Sequence, residues 1–185
     1  MTRQIPDKLI YLDKELFINV EILEPYFEKY PERKFLFTNI ASALWRGYHA
    51  TFVIEEGYLK VIEIQAWDNL PQRKLFNTAF PDGGTMYWYS GFIRIDEDRG
   101  WYDDESPGMN FEFLQIKNGK LVKHWRLNYD ELLIFKLYLF DAFVLTEDYN
   151  ILIKKWRANN PKWDESAIDE IILEDIFNHV REGEI

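Results

Sequence analysis

Arg46, Tyr48 and Glu63 are the residues of this chain whose types and spacing best suit chemistry. Arg46 and Tyr48 share the apolar face of one predicted strand, and Glu63 falls on the apolar face of the next. Buried charges need partners, so one interpretation is a structural ion pair. The other is a polar ligand pocket in which a perturbed carboxylate acts as acid or base. The three residues are therefore our ligand-pocket candidates, and no residue is assigned a catalytic role.

A second group of residues lies in the stretch 96–105, which holds six acidic residues and one arginine. Gly100 and Gly108, the fifth and thirteenth residues counted from Asp96, do not stand where an EF-hand needs a glycine, so the pattern does not match a calcium loop of that type. One interpretation is a solvated connection, and the other is a docking surface on which aromatic anchors and acids meet a cationic partner. The partner-binding candidates are Asp96, Asp98, Trp101, Tyr102, Asp103 and Asp104.

Metal and cofactor chemistry finds little support in the residue types. The chain has no cysteine, which excludes disulfides and thiolate metal sites. His49 and His124 with Glu63 could form a metal site, but nothing in their spacing requires one. No phosphate-binding loop or nucleophile elbow is present. We therefore predict no metal and no cofactor, and the pattern favours a protein that is not an enzyme.

The elements that position these residues are predicted hairpins with a shared turn signature. The signature is an apolar residue, then a glycine three residues later and a leucine two residues after that. It occurs at Ile54–Leu59 and Ile116–Leu121, and more weakly at Tyr11–Leu16, where Lys14 takes the place of the glycine. The signature predicts tight turns at Glu56-Gly57, Asn118-Gly119 and Asp13-Lys14. The flanking strands are predicted over 42–54 with 58–67, over 110–117 with 120–128, and within 8–20.

Two further expectations follow from these strands. A two-residue turn at Glu56-Gly57 places Ala50 opposite Glu63, and a long Arg46 side chain could reach towards that carboxylate. The alternation at 85–95 predicts another strand, reached through a polar connection at 68–84.

The pattern changes to helical spacing after residue 128. Asn128 and Glu131 resemble a capping pair, and the sequence predicts helices at 129–143, 147–159 and 165–181. Strands followed by helices favour an α+β fold, with an antiparallel sheet of hairpins and two or three C-terminal helices. We expect one domain over 1–185, mainly β over 1–128 and mainly α over 129–185.

The formal net charge of −10 over 185 residues limits the partners. Nucleic-acid binding depends on Lys and Arg neutralising phosphates, so we expect no nucleic-acid partner, whereas a basic protein is electrostatically favoured. The N-terminal residues do not resemble a signal peptide, and the longest apolar run is too short to span a bilayer. We therefore expect a cytoplasmic protein without a membrane partner.

Two segments carry a family resemblance. Trp45-Arg46-Gly47-Tyr48-His49-Ala50, running into Ile54 and Gly57-Tyr58-Leu59, resembles a pattern in small bacterial proteins without an established activity. Trp88-Tyr89-Ser90-Gly91, running into Ile95, resembles the same pattern, and together the likeness covers residues 40–125. It implies a small soluble bacterial protein, of a size and charge also found in toxin-immunity proteins. It implies no functional residue.

Three functional hypotheses remain at this point. The first is a non-enzymatic binding protein, of the immunity or inhibitor type, that occludes a basic protein. The second is an enzyme or small-ligand binder with a polar pocket at Arg46, Tyr48 and Glu63. The third is a subunit whose aromatic surface is buried in an oligomer.

Overall fold

A computed structural model describes residues 5–18, 20–34, 42–66, 71–95, 105 and 107–180. Its strands are β1 (Asp7–Tyr11), β2 (Lys14–Ile18), β3 (Tyr48–Glu55), β4 (Tyr58–Ala66), β5 (Gly91–Arg94), β6 (Asn110–Lys117) and β7 (Lys120–Asn128). Its α-helices are α1 (Glu24–Lys29), α2 (Gln72–Ala79), α3 (Tyr129–Val144), α4 (Glu147–Asn159), α5 (Glu165–Glu174) and α6 (Ile176–His179), with a 3-10 turn at Pro31–Arg33.

The described strands form one seven-stranded sheet in the order β2-β1-β3-β4-β7-β6-β5. Each neighbouring pair is antiparallel except β1 and β3, which run parallel. The α+β expectation is confirmed, since the helices α3 to α6 follow the last strand. The sheet is mostly antiparallel, with β1 parallel to β3, and the segment predicted as the last helix is divided at Asp175 into α5 and α6.

The three predicted hairpins are present, and each turns on two residues with positive φ. Glu56-Gly57 and Asn118-Gly119 turn as predicted. The first hairpin turns at Leu12-Asp13 rather than Asp13-Lys14, since Tyr11 pairs with Lys14. Asp13 belongs to the turn in either register, and its short polar side chain tolerates the left-handed region.

The two larger hairpins meet only at their turns. Tyr58 pairs with Lys120, and the amide of Leu59 donates to the carbonyl of Gly119 at 2.8 Å. Beyond that point β4 pairs with the segment at 84–86 instead, where the Val61 amide donates to the Gly84 carbonyl at 2.9 Å. The predicted strand at 85–95 is therefore wrong over its first half, and only Gly91–Arg94 forms β5.

Helices cover both faces of the sheet. One apolar core lies between one sheet face and the short helices α1 and α2, and it contains Leu114 and Ile116 of β6. The other lies between the opposite face and α3 to α6, and it contains Phe111 and Phe113 of β6. Helix α2 lies within 68–84, where the sequence analysis predicted a polar connection and no helix.

The helix α3 begins at a complete capping box. The Asn128 side chain accepts from the Glu131 amide at 3.0 Å, and the Glu131 carboxylate accepts from the Asn128 amide at 2.8 Å. This confirms the predicted capping pair. In the part of the chain that the structure describes, no helix is both long and apolar enough to cross a membrane.

Candidate functional site

Arg46 forms a buried, two-pronged ion pair with Asp7, which the sequence analysis did not single out. Arg46 Nη1 donates to Asp7 Oδ2 at 3.0 Å and Nη2 donates to Oδ1 at 3.2 Å, with both side chains almost fully buried. The amide of Ala50 donates to Asp7 Oδ1 at 2.8 Å, and the Ile5 carbonyl accepts from Arg46 at 3.4 Å. The pair thus joins β1 to β3 and to the segment before β3.

Tyr48 extends this network towards α1. Its hydroxyl donates to Glu24 Oε1 at 2.7 Å, and Lys34 Nζ donates to the other oxygen of Glu24 at 2.7 Å. The Arg46 guanidinium lies 5.3 Å from the centre of the Tyr48 ring, within range of a cation–π interaction. Arg46 and Tyr48 therefore lie together inside the protein.

The electrostatics of this network indicate a structural role. Burial raises the pKa of the Asp7 carboxyl, and the Arg46 guanidinium opposes that rise. Burial disfavours the charged form of Arg46, but the Asp7 carboxylate outweighs it and raises the pKa of the guanidinium. Burial and the Glu24 carboxylate raise the pKa of Tyr48, which keeps the phenol neutral. The Asp7 carboxylate accepts three hydrogen bonds and is closed to solvent, so it is not placed to take a proton from a substrate.

Glu63 does not join Arg46 and Tyr48, because β4 carries a bulge. Thr51 pairs with Glu63 and Phe52 pairs with Val61, which leaves Ile62 as the extra residue. Ala50 consequently faces Ile64, and the expected pairing of Ala50 with Glu63 is wrong. The carboxylate of Glu63 lies on the other face, 3.5 Å from Thr51 Oγ1.

One other titratable cluster and one lone histidine stand out among the described residues. His124 Nε2 lies 2.7 Å from Glu112 Oε2, while the Tyr11 hydroxyl lies 3.5 Å from His124 Nδ1. This order resembles a nucleophile, base and orienting acid, but it lies on the sheet, and none of the three residues lines the cleft described below. His49 Nδ1 is buried without a hydrogen-bond partner in the described part of the chain. No group of three or more metal-ligating side chains assembles within the described ranges.

Of the acidic stretch 96–105, the structure describes Glu105 alone. Asp96, Asp98, Trp101, Tyr102, Asp103 and Asp104 lie outside the described residues. Glu105, the last acid of the stretch, accepts from Lys136 Nζ at 2.7 Å and lies 3.6 Å from Arg94. Lys136 also donates to the Glu174 carbonyl at 2.8 Å. The Glu105 carboxylate is therefore an internal tie between β5, α3 and α5, not a free docking group.

A cleft of about 420 Å³ opens where α4 and α6 approach the β2–α1 connection and the segment before β5. Its size is that of a small-molecule pocket. Aromatic side chains form much of its wall, and three carboxylates belong to it. The aromatic lining residues are Trp88, Tyr89, Phe143, Phe177 and His179, and the acidic ones are Glu21, Glu147 and Asp148.

The outer face of α3 is a separate feature with exposed apolar side chains. We call Leu133, Ile134, Leu137, Tyr138 and Leu145 the α3 stripe, and all five are exposed, with Ile134 at 68% and Leu145 at 87%. Ile151 of α4 is exposed as well. The opposite side of α3 packs on the sheet through Leu132, Phe135, Leu139 and Phe143. The sequence predicted a helix at 129–143, but it did not indicate which side of that helix would be exposed.

No family model, no curated protein and no solved structure matches the chain. The resemblance carried by Trp45–Leu59 and Trp88–Ile95 therefore stays a prediction. What the chain does has to be argued from the α3 stripe, the cleft and the buried network.

Proposed function

We propose that this protein is a non-enzymatic binding protein, and that a cationic protein partner docks on the α3 stripe. The observation that carries the proposal is the exposure of large apolar side chains on two successive turns of α3. Contiguous exposed apolar surface on a folded protein marks interaction sites. A helix that is apolar on all sides is normally buried, whereas the described residues cover only one side of α3.

The charges around the stripe indicate the chemistry of the partner. Asp130 and Asp141 share the face of the stripe, one turn before and one turn after its four central residues. They are eleven residues apart, which is about 16 Å along the helix axis. The remaining acid of α3, Glu131, is exposed, whereas the helix's lysine, Lys136, is buried. Every exposed charge on α3 is therefore negative.

This charge pattern favours a cationic amphipathic segment over other occupants. Two copies of the chain would bring the same acids together and add to the repulsion between molecules of net charge −10. Anionic lipids and nucleic acids would be repelled in the same way. A segment with an apolar face and flanking Lys or Arg satisfies both the stripe and its acids.

The role that fits this chemistry is occlusion of a basic protein in the cytoplasm, as an inhibitor of the immunity type would provide. The small-ligand alternative relied on Arg46, Tyr48 and Glu63 as one pocket. Since Arg46 is committed to Asp7, and Glu63 lies across the sheet, these three residues do not supply that pocket.

The proposal is tested by titrating the protein with a fluorescent, synthetic amphipathic helix of leucine and lysine. We expect saturable binding that weakens as salt rises, because exposed charges are screened beyond about 10 Å at 0.1 M salt. The same helix with glutamate in place of lysine should not bind. The double variant Ile134→Ser with Leu137→Ser should lose most of the affinity, because it removes the exposed apolar anchors.

The matched control is Ile62→Ser, which removes an exposed isoleucine, 47% accessible, from the β4 bulge instead of α3. It should bind the lysine helix like the unmodified protein. Equal loss in the control, or equal binding of the glutamate helix, overturns the proposal. A dimer in sedimentation experiments that Ile134→Ser dissociates would show that a second copy covers the stripe, and would also overturn it.

A further inference from the structure

The cleft is built from four separate parts of the chain. Val20, Glu21, Ile22 and Pro25 come from the β2–α1 connection and α1, and 88–91 precede and begin β5. Phe143, Thr146, Glu147 and Asp148 come from the α3–α4 junction, and 177–180 from α6 and its end. Elements from both sides of the sheet thus converge on one cavity of about 420 Å³, a volume typical of ligand sites.

Its aromatic walls are held in place by packing behind them. Trp88 stacks on Tyr26 with ring centres 4.9 Å apart, and Phe177 stacks on Phe113 at 4.2 Å. His179 lies parallel to Phe143 at 6.0 Å. Side chains fixed in this way lose little further freedom when a ligand enters, so the walls are preorganised.

The charged residues of the cleft have one sign. Glu21, Glu147 and Asp148 line it, and no lysine or arginine occurs among the described residues that do. Glu147 and Asp148 lie in the first turn of α4, whose N-terminus favours negative charge. That explanation does not extend to Glu21, which belongs to the β2–α1 connection and faces the same cavity. Partial burial raises the pKa of Glu21, and the Arg46 charge opposes the rise.

We propose that this cleft binds an organic cation, an ammonium or guanidinium group carried on an aliphatic stem. Aromatic faces attract cations and also pack well against methylene groups. The three carboxylates supply negative charge that attracts the cationic group of such a ligand, and they repel anions of the same size. The cleft and the α3 stripe have no residue in common, although they adjoin at the α3–α4 junction. The inference therefore goes beyond the proposed docking function.

Two sources could deliver this chemistry, a free diamine or the side chain of a Lys or Arg on another protein. Cadaverine and agmatine are the probes for the free cation, and N-acetyl-arginine methylamide is the probe for a peptide side chain. Glutarate, a diacid of the same chain length as cadaverine, and 1-pentanol are the matched anionic and neutral probes. Preference for the diamines assigns the site to a small molecule, and preference for the blocked arginine assigns it to a protein side chain.

The experiment is a titration of isotope-labelled protein followed by NMR. Cadaverine and agmatine should shift the Trp88 indole and Gly91 amide signals in a saturable manner, whereas glutarate and 1-pentanol should not. The double variant Glu147→Gln with Asp148→Asn should weaken cation binding about tenfold, a loss expected when charge partners of a bound cation are neutralised. Thr146 still caps α4 in this variant, which preserves the fold.

The control is the double variant Asp130→Asn with Asp141→Asn, which changes the net charge equally but on the α3 face. It should bind cadaverine like the unmodified protein and bind the lysine helix more weakly, which separates this inference from the proposed function. If glutarate shifts the same signals as strongly, if both double variants weaken cation binding equally, or if no probe shifts them, the inference is overturned.

Discussion

Asp7 of β1 and Arg46, two residues before β3, form a buried ion pair, with guanidinium–carboxylate contacts of 3.0 and 3.2 Å and neither side chain open to solvent. They are the buried charges that link the edge hairpin β1–β2 to the larger hairpin β3–β4. Burial of two charges is costly, so each depends on the other.

Arg46→Met should therefore lower the free energy of unfolding by about 3–5 kcal/mol, because it leaves the buried Asp7 carboxylate without an opposite charge. Urea denaturation followed by tryptophan fluorescence measures this. The exposed pair Lys8–Glu15, at 2.8 Å on the same hairpin, is the control, and Lys8→Met should change stability by about 0–1 kcal/mol. Equal effects of the two substitutions would show that the buried pair is not what joins the hairpins.

Gly57 and Gly119 allow the effect of close backbone contact to be separated from that of positive φ. Both occupy the second turn position, with φ of 79° and 75°. A Cβ on residue 119 would lie 2.6 Å from the Met86 carbonyl oxygen, whereas one on residue 57 meets no described atom within 4 Å.

Gly57→Ala should cost about 1–2 kcal/mol for the left-handed conformation. Gly119→Ala should cost about 1–3 kcal/mol more, since the added carbon forces the 84–90 segment away from the turn. Thermal denaturation of the two variants compares them directly. The same melting temperature for both would contradict the close approach of Met86 to this turn.

Ile172 of α5 is fully buried between the C-terminal helices and the sheet. Ile172→Ala should cost about 2–5 kcal/mol, because it leaves a cavity in a packed core. The control is Ile151→Ala on α4, where the side chain is 56% exposed and the change should stay within about 0.5 kcal/mol. An unchanged denaturation midpoint for Ile172→Ala would mean that α5 does not pack as described.

Tyr149 provides a test of the helix interface that depends on pH. Burial and a 2.8 Å hydrogen bond to Asp169 raise the pKa of Tyr149 to about 12, from 10.0. The folded protein thus holds this proton more tightly than the unfolded chain does. Its contribution to stability is complete below pH 10 and is lost as the pH rises towards about 12.

Asp169→Asn should lower the pKa of Tyr149 by removing the carboxylate charge that accepts the phenol's hydrogen bond. The ¹³Cζ signals of labelled tyrosines report each titration, and Tyr149→Phe assigns the signal in question. A Tyr149 signal that titrates at the same pH in the protein and in Asp169→Asn would show that burial alone sets this pKa.

Local signals in the sequence account for the elements that were predicted. Asn118-Gly119 favours a turn by its own backbone preference, and Asn128 with Glu131 caps α3 within four residues. The two larger hairpins and the first two C-terminal helices could be predicted because each depends on contacts between near neighbours.

The features that were missed depend on contacts between distant residues. The parallel pairing of β1 with β3, and the Asp7–Arg46 pair with it, join residues about forty positions apart, which no periodicity records. The bulge at Ile62 reverses the faces of the rest of β4, so one extra residue separates Glu63 from Arg46. The cleft was missed for the same reason, since its lining residues come from four segments that are distant in the sequence.

The most direct test of the account is to map where the leucine–lysine helix binds, using the amide signals of ¹⁵N-labelled protein. The proposed function predicts that the largest shifts fall on Leu133, Ile134, Leu137 and Tyr138, and that they diminish when salt is added. Shifts centred instead on the β2 edge around Phe17, or spread evenly over the surface, would contradict docking on the α3 stripe.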